Sequence, residues 1–503
     1  MNTTVSKETL DMVKSAQGQP LQGDDVLKSF SQSGTATTGI TYYDLEGPAK
    51  NLYPVLTPLR NKLPRIVGGR GIQANWKAVT GINTGNAGIG VSEGNRGAVM
   101  AETVADYLAS FKGCGLENSV TFEADYAAEG FQDVKALAVL NLLRATMIGE
   151  ERMILGGNGS AVALGTPATP TVVDVATGGT LLANTAYSII VVALTLDAYL
   201  AASVANGLPL SGNRTLADGT TEAYSAGTSI QSAAGTATTA NDSNNTHSLK
   251  VSTTAIAGAV AYAWFVGAAG QEKLNQITTI NSALITAASA TGAQLASAGF
   301  SADKSKNALC FDGLLYQAIK SGSGAYVKVM PTGVAGTGTP LTGDGAGGIV
   351  EIDAALQSFW DNYRLSPSTI WVSAQEQRNI SAKILAGQVN GAARFVFEAK
   401  QGMIAGGTMV TSYLNKFSMD GAKEIPIKLH PNLPAGTILF DTDELPYPLS
   451  NVAMVKRMLL RRDYYQIEWP LKTRKYEYGV YFDGVLQNYF PPAFGVITNI
   501  ANG

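Results

Sequence analysis

The sequence predicts an α+β fold into which an all-β sandwich is inserted, and three stretches carry that prediction. The longest helix-period run, Asp125–Leu155, repeats apolar residues at three- and four-residue steps through Phe131, Val134, Ala138, Leu142, Ala145 and Ile148. Thr166–Ala290 holds only nine charged residues in 125 and alternates short apolar runs with Gly/Ser/Thr/Asn turns. From about Phe311 helix and strand signals mix again, and the chain closes in tyrosine-rich extended segments.

Composition narrows the function classes. With 36 Lys and Arg against 39 Asp and Glu, the net charge is −3, which speaks against general nucleic-acid avidity. Only 15% of residues are charged and 55 are glycine, against typical values of about a quarter and about 7%. Such a chain suits extended β structure and surfaces buried against neighbours, and equally a loop-rich protein. Cys114 and Cys310 lie far apart and, with no signal-peptide pattern, read as free thiols in a reducing compartment. No run of 18 apolar residues exists, so no membrane span is expected; the nearest, Leu181–Ala205, is interrupted by Asn184, Asp197 and Ser203.

Taken in order, residues 1–50 read as a mobile arm with a short helix at Lys7–Ser15. In 52–71, Pro54, Pro58 and Pro64 favour an extended backbone and disfavour helix. That segment is either a linker or an arm tied to a neighbouring subunit. Within Ile72–Phe122, Trp76, Ala78 and Thr80 alternate with Lys77 and Val79. Six glycines follow between 81 and 97, then strand-like Ala98–Phe111 and Leu116–Phe122. Two extended stretches around a glycine-rich tip predict a long hairpin, too thin to be stable alone and so packed on another chain.

The helix-period run comes next, about 30 residues and roughly 45 Å long at 1.5 Å per residue. Glu123, Asp125, Glu129 and Asp133 suit the positive end of its dipole, and Gly156-Gly157-Asn158-Gly159 is read as its stop. In the charge-poor stretch, strands are predicted at Thr171–Val175, Ala186–Leu194, Ser248–Thr253, Ala261–Val266 and Gln276–Ile285, with a loop over Gly227–Asn245. Beyond it, Ile352, Leu356, Phe359 and Tyr363 predict a helix over Gly348–Tyr363. Thr369–Val372 reads as a buried strand, and Ser373-Ala-Gln-Glu376 as a capping box opening a helix to about Ala386. Strands follow at Thr408–Leu414, Ile425–His430, Thr437–Asp441, Met454–Ile467, Tyr476–Phe482 and Val485–Tyr489, and a sheet is expected to end near Ile500.

Catalytic chemistry is sparse. The two histidines, His247 and His430, with two cysteines exclude ordinary Cys/His zinc clusters and disfavour a Ser-His-Asp or Cys-His site. Neither a phosphate loop nor a strand-GxGxxG-helix unit occurs. The glycines of 343–348 could cradle an anion at a helix start, but a flexible loop is the better reading. Asp441, Asp443 and Glu444 could bind a hard cation, but an exposed acidic turn is preferred. In Val452–Tyr478, seven basic residues (Lys456, Arg457, Arg461, Arg462, Lys472, Arg474, Lys475) meet three acids, Asp463, Glu468 and Glu477. Tyr464, Tyr465, Trp469, Tyr476 and Tyr478 interleave as a nucleic-acid stacking surface would. Inter-subunit ion pairs with incidental nucleic-acid contact fit the mixed signs better.

The order of arm, glycine-tipped hairpin, long helix, two-helix α/β region and tyrosine-rich sheet resembles the major capsid proteins of tailed double-stranded DNA bacteriophages, the Hong Kong 97-like fold. LYPVLTPLRNKLPRIVGGRGIQANWKAVTGIN (52–83) and YYQIEWPLKTRKYEYGVYFDGVLQNYFPPAFGVI (464–497) carry the likeness, which covers about 375 residues, everything outside the insert. The insert is similar to the immunoglobulin-like or fibronectin-type domains some capsid proteins carry. The resemblance implies an N-terminal arm (1–71), an E-loop hairpin (72–122), a P-domain spine helix (123–160), the insert (161–290), an A-domain (291–445) and a closing P-domain sheet (446–503). It further implies a non-enzymatic subunit without cofactor or metal, assembling in the host cytoplasm into pentamers and hexamers of a virion shell around packaged double-stranded DNA. Portal and scaffolding proteins are its implied partners, with decoration proteins as further ones and no membrane. Inter-subunit contacts are expected at Trp76, Lys77, Arg96, Arg461, Arg462, Lys472, Arg474 and Lys475. One branch of the family cross-links its shell through an E-loop lysine. The tip Gly81–Gly97 has none, Lys77 sits on the shaft, and Asn488 is the one evident partner-like residue in the last sheet; no cross-linking is therefore expected.

Two other classes stay in view. An encapsulin-type compartment shares a similar fold, but the large insert and long arm count against it. A polysaccharide-active enzyme with a β-sandwich module lacks evident paired carboxylates.

Overall fold

The computed structural model describes residues 52–82, 88–130, 132–242, 244–386, 409–418 and 421–501. The expected arm helix at Lys7–Ser15, part of the hairpin tip including Gly85, and Phe131 lie outside them. The chain divides into two units, Met1–Tyr53 with Tyr126–Asp133, and Pro54–Asp125 with Val134–Gly503. In the first, Gly130 takes φ +78°, a left-handed turn open to glycine at no steric cost. Apart from the helix Phe122–Ala128, whose last three residues fall in the first unit, all else below concerns the second.

It opens with a surprise at Pro58–Lys62 (α1), a five-residue helix where prolines were expected to hold the chain extended. Pro58 sits at the first helical position, where its missing N–H costs nothing. Arg65–Val67 (β1) follows, then Gln73–Ile82 (β2), Glu102–Ser110 (β3) and Lys112–Thr121 (β4). β2 and β3 form the predicted hairpin, in register from Gln73↔Ser110 to Ile82↔Glu102. β4 does not belong to it. It pairs instead with Lys475–Asn488 (β20), 350 residues and more downstream, in a four-stranded sheet ordered β1-β19-β20-β4, β19 being Lys456–Glu468.

The expected single helix of about 30 residues is two: Phe122–Ala128 (α2) and Val134–Gly156 (α3, 23 residues). α3 buries Ala138 and Leu142, the latter against Tyr478 and Val480 of β20. The glycines after it do not act as a left-handed stop, since none of Gly156, Gly157 or Gly159 has positive φ. They admit close neighbours. A Cβ on Gly157 would stand 2.4 Å from the Phe311 carbonyl oxygen, and one on Gly159 2.2 Å from that of Cys310.

The charge-poor stretch is a two-sheet sandwich. Thr171–Val175 (β5), Ser248–Ser252 (β10) and Ser282–Ile285 (β13) form one sheet, ordered β13-β10-β5. Ala186–Leu194 (β6), Gly235–Thr238 (β9), Ala261–Gly267 (β11) and Lys273–Thr278 (β12) form the other, ordered β12-β11-β6-β9. Leu181, Ile189, Val191, Leu249, Val251, Trp264 and Ile285 fill the space between. The expected loop over 227–245 thus contains an edge strand of the second sheet, and the expected strand 276–285 is two strands around a turn. A hairpin, Gly212–Thr215 (β7) with Thr221–Tyr224 (β8), and the short helix Leu196–Ala201 (α4) were not foreseen.

The insert also runs further than position 290. Ala296 and Phe300 enter its second core, and Lys304 N–H bonds Thr228 O at 2.9 Å. Its two stems are laced together: Asn158 donates to Val162 O (2.7 Å) and Ser305 O (2.8 Å), and Leu164 N–H bonds Ser305 Oγ at 3.0 Å. Asn281 and Asn499 then lock the insert to the body, with Asn281 N–H donating to Asn499 Oδ1 (2.8 Å) and Asn499 Nδ2 to Asn281 Oδ1 (3.0 Å).

The remaining elements are Leu314–Ile319 (α5), Tyr326–Val329 (β14), Val350–Tyr363 (α6), Thr369–Val372 (β15), Ala374–Ala386 (α7), Ser412–Asn415 (β16), Lys423–Leu429 (β17), Ile438–Asp441 (β18) and Gly495–Thr498 (β21). They build a six-stranded sheet ordered β14-β21-β18-β15-β17-β16. β21 therefore returns the chain to this sheet and does not close the one containing β19 and β20. One continuous core, with Leu59, Leu155, Phe359, Trp371, Phe440, Met458 and Phe494, underlies both sheets.

Candidate assembly surface

The hairpin β2–β3 is the feature the core does not explain. Beyond Ile82 and Glu102 the described residues 88–101 belong to no strand and are exposed throughout. Apolar side chains stand in solvent along the arm: Ile72, Val79, Ile82, Ile89 (89% exposed), Val91, Val99 (93%), Met100, Val104 and Leu108. Scattered surface leucines need no explanation, whereas this many exposed apolar side chains on one hairpin is unusual for a subunit surface. A two-stranded ribbon is itself marginal in water.

The root of the arm is firmly set. Trp76 stacks on Tyr107 across the hairpin with ring centroids 5.9 Å apart, and meets Tyr489 edge-on at 5.9 Å. Ala74, Ala109 and buried Phe111 join the main core, and Phe111 N–H bonds Ile72 O at 3.0 Å. A groove of about 390 Å³ runs between 106–110 of β3, the 317–323 segment and the end of β20. Two buried donors that line it have no partner among the described residues, Trp76 Nε1 and Asn488 Nδ2. The Asn488 amide is oriented by its other end, which accepts the Phe490 N–H at 3.0 Å.

Just before the arm, residues 57–67 are clamped by carboxylates from distant elements. Glu151 of α3 accepts the N–H groups of Leu59 (2.9 Å) and Arg60 (2.7 Å), donors that the start of α1 leaves unpaired. Glu150 receives Arg60 Nε at 2.8 Å, Arg65 and the Tyr464 hydroxyl. Arg65 also pairs with Asp463 at 2.6 Å. Burial pulls the Arg65 pKa down, but Asp463 and Glu150 outweigh it and hold the guanidinium charged.

A second clamp takes up Asp441 and Asp443, which were expected in an exposed acidic turn, while Glu444 is exposed as expected. Asp441 is fully buried between Lys456, itself 0% exposed, and Lys62, and accepts Trp371 Nε1 at 3.0 Å. Asp443 joins with Lys62 (2.6 Å) and Lys456 (2.7 Å). Burial pushes the Asp441 pKa up, yet the two ammonium groups overcome it and leave the carboxylate below its usual range. The two lysines occupy the position a bound cation would take. The 343–348 loop is likewise self-satisfied: Asp344 accepts the N–H groups of Ala346 and Gly348, both at 2.7 Å, so those donors are not free for an anion.

The residues expected at subunit contacts divide into two groups. Lys77 faces Asp106 at 3.7 Å on the exposed shaft, Arg461 bonds Gly71 O at 3.1 Å, Arg462 lies over Tyr465, Arg474 pairs with Glu123 and Lys475 with Glu477. Arg96, on the tip, and Lys472, in the β19–β20 turn, are exposed and make no ion pair among the described residues. Much of the basic character of 452–478 is thus neutralised within the subunit. Sequence reasoning missed Glu150, Glu151 and Lys62. Two adjacent glutamates inside an apolar helical run were the available signal.

No family model and no curated protein sequence matches the chain. Among solved structures it is similar to the capsid of a native GTA particle, at 7% identity over 94% of this chain and 100% of that one, with a TM-score of 0.41. It is also similar to the cyanophage A-1(L) capsid, at 12% identity over 91% and 97% with a TM-score of 0.41. A third likeness is to the capsid of Myoviridae phage XM1, at 9% identity over 90% and 95% with a TM-score of 0.40.

Proposed function

We propose that this chain is the major capsid protein of a tailed double-stranded DNA bacteriophage, a Hong Kong 97-like subunit that assembles as pentamers and hexamers into an icosahedral shell around DNA. The exposed apolar arm on a clamped root carries the reading. A ribbon that cannot bury its own side chains, held at a set angle by aromatic and ionic contacts, gains stability when a second copy covers it. At about 25 cal/mol per Å² of apolar surface, modest overlaps repeated around a shell give a strong particle from weak contacts.

In this reading α3 is the spine, the β1-β19-β20-β4 sheet its P-domain partner and the six-stranded sheet the A-domain. The insert is an immunoglobulin-like module. Its β9-β6-β11-β12 order corresponds to strands C′-C-F-G and β5-β10 to B-E, with β13 added beyond E and no strand in the place of A. The stem contacts and the Asn281–Asn499 pair support a rigidly mounted module rather than a tethered one.

Electron microscopy of the expressed protein tests the proposal. Closed shells are the expected product, and nuclease-protected DNA inside particles from a phage-producing host would complete it. Shells filled with a cargo enzyme would point to an encapsulin-type compartment. A chain that remains monomeric with its arm intact, with and without a scaffold, would overturn the shell reading.

A further inference from the structure

We infer that Lys456 and Asp441 condense to an amide inside the folded subunit, Lys456 Nζ replacing Asp441 Oδ1 and one water leaving. Among the described residues Lys456 is the one lysine whose side chain is wholly buried, and Asp441 is buried as completely. Asp441 ends β18 and Lys456 opens β19, so both are carried on strands. Nζ is in direct contact with Oδ1. The Phe494 ring, its centroid 5.5 Å from Nζ, and the indole of Trp371 cover the pair.

The groups around this contact are those an acyl transfer needs. Asp441 Oδ2, the oxygen that gathers charge in the tetrahedral intermediate, receives Trp371 Nε1 at 3.0 Å and Lys62 Nζ at 3.1 Å. Asp443 Oδ1 accepts Lys456 Nζ at 2.7 Å, within reach of the proton to be removed. Its Oδ2 is held by Lys62 at 2.6 Å, which fixes that carboxylate against the amine. Amine, acyl carbon, base and oxyanion donors thus converge on one buried point. The clamp at Glu150 lacks the first of these, because Arg60 and Arg65 bring guanidinium groups that stay protonated.

The step balances from the ion pair itself. The ammonium carries three protons; the amide keeps one, and the other two leave with Oδ1. One passes directly to Oδ1 and the other by way of Asp443. Nζ bonds Cγ, the Cγ–Oδ1 bond breaks, and the opposite charges of Lys456 and Asp441 cancel. No oxidant or co-reactant enters, and Lys62 with Asp443 remains as a balanced pair. Holding amine and acyl carbon in contact supplies the effective concentration that the reaction lacks in bulk water. It also removes two charges from an interior where each is costly. The product is a staple within one subunit, between the six-stranded sheet that contains β18 and the sheet of β19 and β20. It joins no subunit to another.

Peptide mapping by mass spectrometry tests this on the full chain, purified folded and then denatured, whether or not it assembles. The expected result is a branched peptide joining Asp441 to Lys456, lighter by one water than the sum of its parts, with no tryptic cut after Lys456. Finding only linear peptides with both residues unmodified overturns the staple. In refolded Asp443→Asn the loss of water is expected to be slower by about a hundredfold. A folded variant that loses water at the wild-type rate overturns the part given to Asp443. Should the variant not fold, the wild-type map decides alone.

Discussion

Glu151 and His430, 279 residues apart, meet at 2.7 Å between Oε1 and Nε2 with both side chains sealed from solvent. Nδ1 of the same ring accepts the Asn432 N–H at 3.2 Å, which places the ring proton on Nε2 and makes it the donor to Glu151. One carboxylate thus joins α3, the turn after β17 and the start of α1.

Removing that carboxylate strands three donors at once. Glu151→Ala is expected to destabilise the unassembled subunit by about 3 kcal/mol or more, since each buried unpaired polar group costs about 1–3 kcal/mol. Urea unfolding measures it, and a loss below about 1 kcal/mol would show that the clamp is redundant.

Lys456→Met should be similarly costly. It removes the fully buried partner of Asp441 and leaves the excess negative charge of Asp441 and Asp443 to Lys62 alone. Breaking one side of a buried pair costs about 3–5 kcal/mol. The double variant with Asp443→Asn is expected to recover part of that loss, because one of the competing carboxylates is gone. A double-mutant cycle in denaturant checks the coupling.

The spine and the arm should fail in different ways. Leu142→Asp places a charge against Tyr478 and Val480 and is expected to prevent folding. Val99→Asp with Ile89→Asp alters only exposed side chains and should leave the circular dichroism and thermal midpoint of the subunit unchanged while abolishing particles in sedimentation velocity. Normal particles from the arm variant would remove the apolar strip from the assembly mechanism.

The insert carries its own pH dependence. His247, shielded from solvent, bridges Asp242 (3.0 Å) and Asp174 (2.9 Å), and the hydrogen bonds its ring donates to the two carboxylates raise its pKa against burial. A raised histidine contributes stability that is complete below its unfolded value near 6.5 and fades as pH climbs through the higher folded value. Protection of 239–247 in hydrogen exchange should therefore fall between pH 6 and pH 9 beyond the intrinsic trend. In His247→Gln the extra fall should vanish; its persistence would assign the effect elsewhere.

Much of the local structure was legible in the sequence. Thr171–Val175, Ala186–Leu194 and Thr369–Val372 form strands with the expected bounds, because each is a short apolar run closed by turn residues. The pairing of Gln73–Ile82 with Glu102–Ser110 followed from alternation on either side of a glycine-rich stretch. Local pattern misled where a residue answers to distant neighbours. Pro58 was read as a helix breaker, but Glu151 supplies the acceptors that make it a helix start. Gly157 and Gly159 were read as a stop, but they are there because Phe311 and Cys310 come too close for a side chain.

By itself the sequence determined the classes of element, the charge-poor insert and an arm with more apolar surface than it could bury. These are properties of neighbouring residues, and periodicity records them. Only the tertiary structure decided that β4 leaves the hairpin for β20, that β21 joins the six-stranded sheet, and that Asp441 and Glu150 are buried rather than exposed. Those outcomes depend on partners 15 to more than 300 residues away. An ionised side chain enters a core only when the fold delivers its counter-charge, and no local pattern specifies where that counter-charge comes from.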